Sequence, residues 1–188
     1  HPMDDKTFAA PILAKKVGIS EDRPPALVLL PGDRVNIELI SSTTTNLPNL
    51  LIEASGTVHV PLAGDVAVSG LGLVAAEAKL RAALQRYDSL IQVTLTVSGL
   101  EGHKVTVVGA VKTPGVVPLQ PAARLTDVIM QAGGTIVNVV QGQLVSGSDL
   151  RTARLVRSGS QVPVDFEKAM AGDPMHNVYL RGGDQIYI

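Results

Sequence analysis

LVAAEAKLRAALQRYDSLIQVTLTV, residues 73–97, changes its hydrophobic period partway along, and that change decides the fold class. Leu73, Ala76, Leu80, Ala83, Leu84 and Tyr87 fall on one stripe of a 3.6-residue repeat, and Glu77 stands four residues before Arg81, so 73–87 predicts an amphipathic helix. From Ile91 to Val97 apolar and polar residues alternate strictly, the period of a half-buried strand. Apolar runs elsewhere in the chain are equally short. Long continuous runs would signal a parallel sheet buried on both faces; short alternating ones predict an α+β fold.

Towards the N-terminus, Val35, Ile37 and Leu39 alternate with Arg34, Asn36 and Glu38 after a Pro31-Gly32 turn, and LVLL precedes that turn at 27–30. The Ser/Thr/Asn/Pro stretch 41–49 reads as a connection. Residues 50–70 read as three short strands broken at Ser55-Gly56 and Ala63-Gly64-Asp65, where glycine supplies the positive φ of a tight turn. Towards the C-terminus, SGLEGH at 98–103 reads as a hinge. KVTVVGAVKTPGVVPL (104–119) reads as two strands around Pro114-Gly115, and RLTDVIMQAGG (124–134) as a helix stopped by Gly133. ARLVR (153–157) and VPVDF (162–166) suit strands, Asp165 suits the cap of a short helix over Phe166 to Ala171, and NVYLRGGDQIYI closes the chain with a strand that ARLVR is placed to join. The expectation is two small consecutive domains: a mixed β/α unit over 26–98 and a second α+β unit over 99–188. Residues 1–25, ending in EDRPP, read as a partly mobile arm and linker.

Composition narrows the function classes. The 188 residues are 45% apolar and 18% charged, with a mean hydropathy of +0.25. Two Phe, three Tyr and no Trp, on a net charge of −1 with scattered basic residues, argue against a base-stacking nucleic-acid surface. The absence of cysteine excludes disulfides, thiolate catalysis and cysteine-bound metal. Every apolar run falls short of the ~18 residues that span a bilayer. The opening His1-Pro2-Met3 reads as a cloning remnant, which leaves room for a native leader cut away upstream, so the missing signal says little about location.

Candidate chemistry is sparse. GLGLVA at 70–75 has the outline of a dinucleotide fingerprint, but the acid that should follow the next strand is missing: Asp88 precedes it and Glu101 lies past a glycine turn. A turn and glycine N-cap is the preferred reading. His59, His103 and His176 lack helical zinc spacing, and no serine sits in a nucleophile elbow. GDRVNI (32–37) and GDQIYI (183–188) repeat one pattern, and Asp33 and Asp184 read as carboxylates bonding the N–H groups of their own turns. Arg151, Arg154, Arg157 and Arg181 form one basic group, a candidate contact for an anionic glycan or partner or else a charged guard on an edge strand. The reading contains no catalytic set, no cofactor and no metal.

In order, LLPGDRVNI, SGTVHVPLAGDVAVSGLGLVAAEAKLRAAL and IQVTLTV resemble the polysaccharide biosynthesis/export domain. VTVVGAVKTPGVVPL, RLTDVIMQAGG and the closing VDFEKAMAGDPMHNVYLRGGDQIYI resemble the soluble-ligand-binding β-grasp (SLBB) domain that follows it in outer-membrane polysaccharide export proteins of the Wza type. The resemblance implies a non-enzymatic protein of the periplasm and outer membrane that assembles as a ring. Its implied partners are the exported polysaccharide and an inner-membrane co-polymerase, often linked to a tyrosine kinase. Three departures stand out. Gly72-Leu73 replaces the Thr common at the start of the first helix. TIVNVVQGQLVSGSDL (135–150) is long and apolar for its place, and Ile136, Val137, Val139 and Val140 are expected at a subunit or domain contact. A lipid-bearing N-terminal Cys and a C-terminal amphipathic helix, present in some members, are missing from the sequence, so this stretch is not expected to span a membrane itself. The alternative is a monomeric β-grasp module that binds a soluble saccharide.

Overall fold

The computed structural model describes residues 15–188. Its first half is built on β1 (Arg34–Ile40), β2 (Thr44–Leu51), β3 (Thr57–Val60), β4 (Gly64–Ala67), α1 (Leu73–Gln85) and β5 (Gln92–Gly99). β1 lies between β2 and β5, antiparallel to both, and β3–β4 is a separate hairpin. The alternation predicted for β1 and β5 sets the inner face of this sheet. Val35, Ile37, Leu39, Val93 and Leu95 turn inward onto Ala76, Leu80 and Leu84 of α1, and Val58, Val60 and Val66 complete the core.

Three local expectations are revised here. Residues 41–49 are mostly strand: β2 pairs with β1 from Ile40↔Thr44 to Arg34↔Leu51. An edge strand with nearly every side chain exposed carries no inside-outside alternation, so its pattern looked like loop. LVLL joins no sheet; instead Leu29 N–H donates to Leu71 O and the Leu29 carbonyl accepts Gly70 N–H. α1 ends at Gln85, which leaves Tyr87 beyond the stripe and 62% exposed.

The second half contains β6 (Lys104–Val108), β7 (Gly115–Pro118), α2 (Leu125–Gln131), β8 (Val137–Val140), β9 (Gln143–Ser146), β10 (Arg154–Arg157), β11 (Ser160–Val162), α3 (Phe166–Met170) and β12 (Gln185–Tyr187). Five strands form a sheet in the order β11-β10-β12-β6-β7, with β12 parallel to β6 and the other pairs antiparallel. ARLVR does pair with the last strand, through Arg154↔Tyr187 to Val156↔Gln185. In VPVDF only Val162 is in a strand, because Asp165 caps α3 by accepting from Lys168 N–H at 3.2 Å and Phe166 opens the helix fully buried. Gly133, at φ +87°, stops α2, and Gly134 N–H reaches back to Ile129 O. Val105, Val107, Leu125, Ile129, Leu155, Phe166 and Ile186 belong to this unit's own core, which shares no residue with the first.

Residues 1–14 of the arm lie outside the described residues. The remainder is docked on the second unit. Gly18 N–H donates to Pro163 O, Ile19 N–H to Met175 O, and Asp22 accepts Tyr179 N–H at 2.7 Å.

Candidate functional site

The two units meet where the β5–β6 connection crosses the first GD turn. Asp33 is fully buried at this seam. Its carboxylate accepts Leu30 N–H at 2.9 Å from its own turn, Gly102 N–H at 2.8 Å from the connection, and a contact from His103 Nε2 at 2.9 Å. Gly102 is required by close approach, since a Cβ there would run into the Pro31 carbonyl. Asp184 occupies the matching turn of the second unit. It accepts Arg181 N–H at 2.8 Å and a two-pronged contact from Arg157, Nε at 2.9 Å and Nη2 at 2.8 Å. That bond pushes the Arg157 guanidinium above its ordinary value against the opposing effect of burial. Both aspartates therefore bond their own turns, as their position after glycine implied, and each also holds a cationic or imidazole side chain.

Of the four arginines grouped from sequence, Arg157 and Arg181 converge on Asp184, the latter through its backbone. The two-residue period of β10 places Arg154 on the opposite face from Arg157, with its guanidinium 4.8 Å from the Tyr187 ring centre. Arg151 sits in a separate turn, exposed, with its Nε 3.3 Å from Asp149. The sequence reading missed Arg124, which stacks 4.1 Å over Tyr179 and bonds Asn177 O and the Tyr179 hydroxyl.

His59 forms an exposed pair with Asp65, and His176 is buried with Nδ1 accepting Asp165 N–H, so the three histidines lie in different settings. Among the described residues no cluster of three metal-ligating side chains forms. In the glycine-rich turn, Gly72 is the N-cap of α1 and Gly70 N–H is taken by Leu29 O.

Two surface features are unpartnered among the described residues. One is a cleft of about 440 Å³ along the seam, bordered by Leu27, Leu30, Leu100, Leu119 and Pro121, with His103, Gln120 and Arg181 as its polar members. Its walls come from four separate segments, so no local motif announced it. The other is the 135–150 stretch, which folds as the β8–β9 hairpin. All eight strand residues are exposed, and Ile136 at its base is half-buried. Val137, Val139, Val140 and Leu144 thus contact no other part of this chain's two cores.

The architecture of a small mixed unit followed by a β-grasp-like one is matched by sequence comparison. Residues 21–98 match the polysaccharide biosynthesis/export protein family, and residues 104–165 match the SLBB domain. The chain thus carries a match to the export family followed by a match to the SLBB domain, two domains in this order over most of its length. It is similar to the capsule polysaccharide export protein BexD of Haemophilus influenzae, at 29% identity over 78% of this chain and 34% of the relative. It is also similar to the capsule polysaccharide export outer membrane protein CtrA of Neisseria meningitidis, at 27% identity over 88% of this chain and 40% of the relative. The EPS I polysaccharide export outer membrane protein EpsA of Ralstonia solanacearum shares 29% identity over 77% of this chain and 37% of its own length. The chain thus spans well under half the length of these relatives. Among the described residues no helix is long and apolar enough to cross a membrane, which leaves strands out of account.

Proposed function

We propose that the protein is a periplasmic, outer-membrane-associated subunit for export of capsular polysaccharide or exopolysaccharide, acting without catalysis as part of a ring-shaped conduit. The observation that carries this reading is the export domain followed directly by an SLBB domain, in a chain similar to proteins named for capsule and EPS export. A conduit for a hydrated polymer needs repeated copies in a closed head-to-tail arrangement and surfaces that do not grip the sugar. With five aromatic residues in the whole chain, the stacking platforms of a tight saccharide site are scarce. Arg151, Arg154 and Arg181 offer exposed positive charge to an acidic glycan or to the inner-membrane co-polymerase and kinase, while Arg157 is held on Asp184.

The test is genetic and direct. Deleting the gene in its own bacterium should abolish surface polysaccharide while polymer accumulates inside, and the full-length gene should restore it. Unchanged surface polysaccharide in the deletion would end the export reading. The rival reading, a monomeric module holding a soluble saccharide, draws on the seam cleft. That cleft is walled mainly by Leu and Pro, with Gln120 its one amide among the described residues, which favours an apolar occupant over a sugar.

A further inference from the structure

We infer that the β8–β9 hairpin of one copy seats its apolar side chains in the seam cleft of the next copy, making a head-to-tail contact. This rests on the export-subunit reading and supplies the surfaces by which such subunits join.

The hairpin is built to be covered. Register places Val137, Val139 and Leu144 on one face, where they are 53%, 70% and 78% exposed. From Thr135 to Ser148 the chain has no charged residue and no proline. Among the described residues the outer edges of β8 and β9 pair with nothing. Solvent-facing sheet edges are ordinarily guarded by charge, proline or a covering element, and this one has none of them.

The receptor is the cleft. Its volume of about 440 Å³ falls in the range of pockets that enclose small ligands, enough for the side chains of Leu144 and Val139. Among the described residues no carboxylate lines it, so an uncharged apolar insert strands no acid. Its one formal charge, Arg181, is exposed and stays in water at the rim.

Placement excludes the chain's own cleft and makes a second copy, which carries both surfaces, the occupant that fits. The hairpin base is tied to the far end of β6 by the Val111↔Thr135 bridge and by Ser148 Oγ donating to Ala110 O. The cleft lies at the near end, at His103, whose carbonyl accepts Leu119 N–H. About seven residues of extended chain separate the two ends, roughly 23 Å at the rise of a strand. A hairpin with four-residue strands, anchored at one pole of its unit, cannot fold back into a cleft at the other. An apolar projection at one pole and an apolar receptor at the other make a heterologous contact, which repeats into a ring when the rotation closes.

The chain has no cysteine, so single cysteines report contacts cleanly. Leu144→Cys and Gln120→Cys proteins, both altered at exposed positions and each first shown to melt like the parent, are mixed and mildly oxidised. The expected result is a disulfide-linked heterodimer at least fivefold more abundant than Leu144→Cys homodimer or any pair with Lys79→Cys on α1. Leu144→Lys should also abolish self-association in sedimentation velocity. The inference is overturned if Leu144→Cys pairs chiefly with itself, if Leu144→Lys assembles as the parent does, or if the parent stays monomeric with no heterodimer. None of these results touches surface polysaccharide in the deletion strain, so the export reading stands or falls separately.

Discussion

Asp33 and Asp184 each follow a glycine, bond the N–H three residues back, and are buried, yet their third partners set different consequences for removal. Asp184 is paired with Arg157, itself only 21% exposed. Arg157→Ala would leave a buried carboxylate with one N–H, and breaking a buried pair in this way costs about 3 kcal/mol. Urea unfolding of the second unit should register that loss. An unchanged urea midpoint would mean that the carboxylate regains water in the variant. The bond of each aspartate to its own turn was legible in the sequence because it spans three residues. His103 and Arg157 were not, since they lie 70 and 27 positions away and only the packed fold brings them in.

At the level of elements, legibility followed burial. β1, β5 and α1 each bury one face, so their periods were written in the chain. β2 buries almost nothing and looked like loop, while the β8–β9 hairpin, expected at a subunit or domain contact because its residues are apolar, stands exposed on its own chain. Excising 137–146 in favour of a short Gly-Ser link should therefore leave the melting temperature within about 3 °C of the parent, because surface changes usually stay within ±0.5 kcal/mol. A larger fall would show that the hairpin supports the core of its own chain. The turn after β1 offers a second test. Ser41 Oγ donates to Asp88, which also accepts Leu90 N–H, and these bonds hold the Asp88 carboxyl below its usual range, the serine contributing most. A depressed carboxylate stabilises the fold above the usual carboxylate range and loses that contribution as pH falls through its folded value. The gap in urea midpoint between the parent and Ser41→Ala should be larger at pH 7 than at pH 3; an equal gap would detach the serine from the titration.

For the whole molecule, the order of the two units was readable from motif order, but the seam between them was not, because its contacts come from turns that each look ordinary alone. The second unit holds the chain on both sides of the first: the arm bonds Pro163, Met175 and Tyr179 before β1 begins, and Gly102 and His103 grip Asp33 after β5 ends. Since the cores share no residue, cooperativity between the units has to pass through these bonds and the apolar contacts of the seam. Asp33→Ala removes the acceptor for two backbone N–H groups and for His103 at a buried point, and each unsatisfied buried donor costs about 1–3 kcal/mol. That cost falls on the first unit and on the coupling, while the second unit's sheet and its Asp184–Arg157 pair are untouched. Calorimetry should then resolve two transitions in Asp33→Ala, the lower from the first unit and the upper near the parent's midpoint. Asp22→Ala, which frees Tyr179 N–H on the second unit alone, should lower the upper transition instead. If Asp33→Ala shifts a single transition downward without splitting it, the units are coupled through the apolar contact of Leu30 with Gly182 and not through the carboxylate.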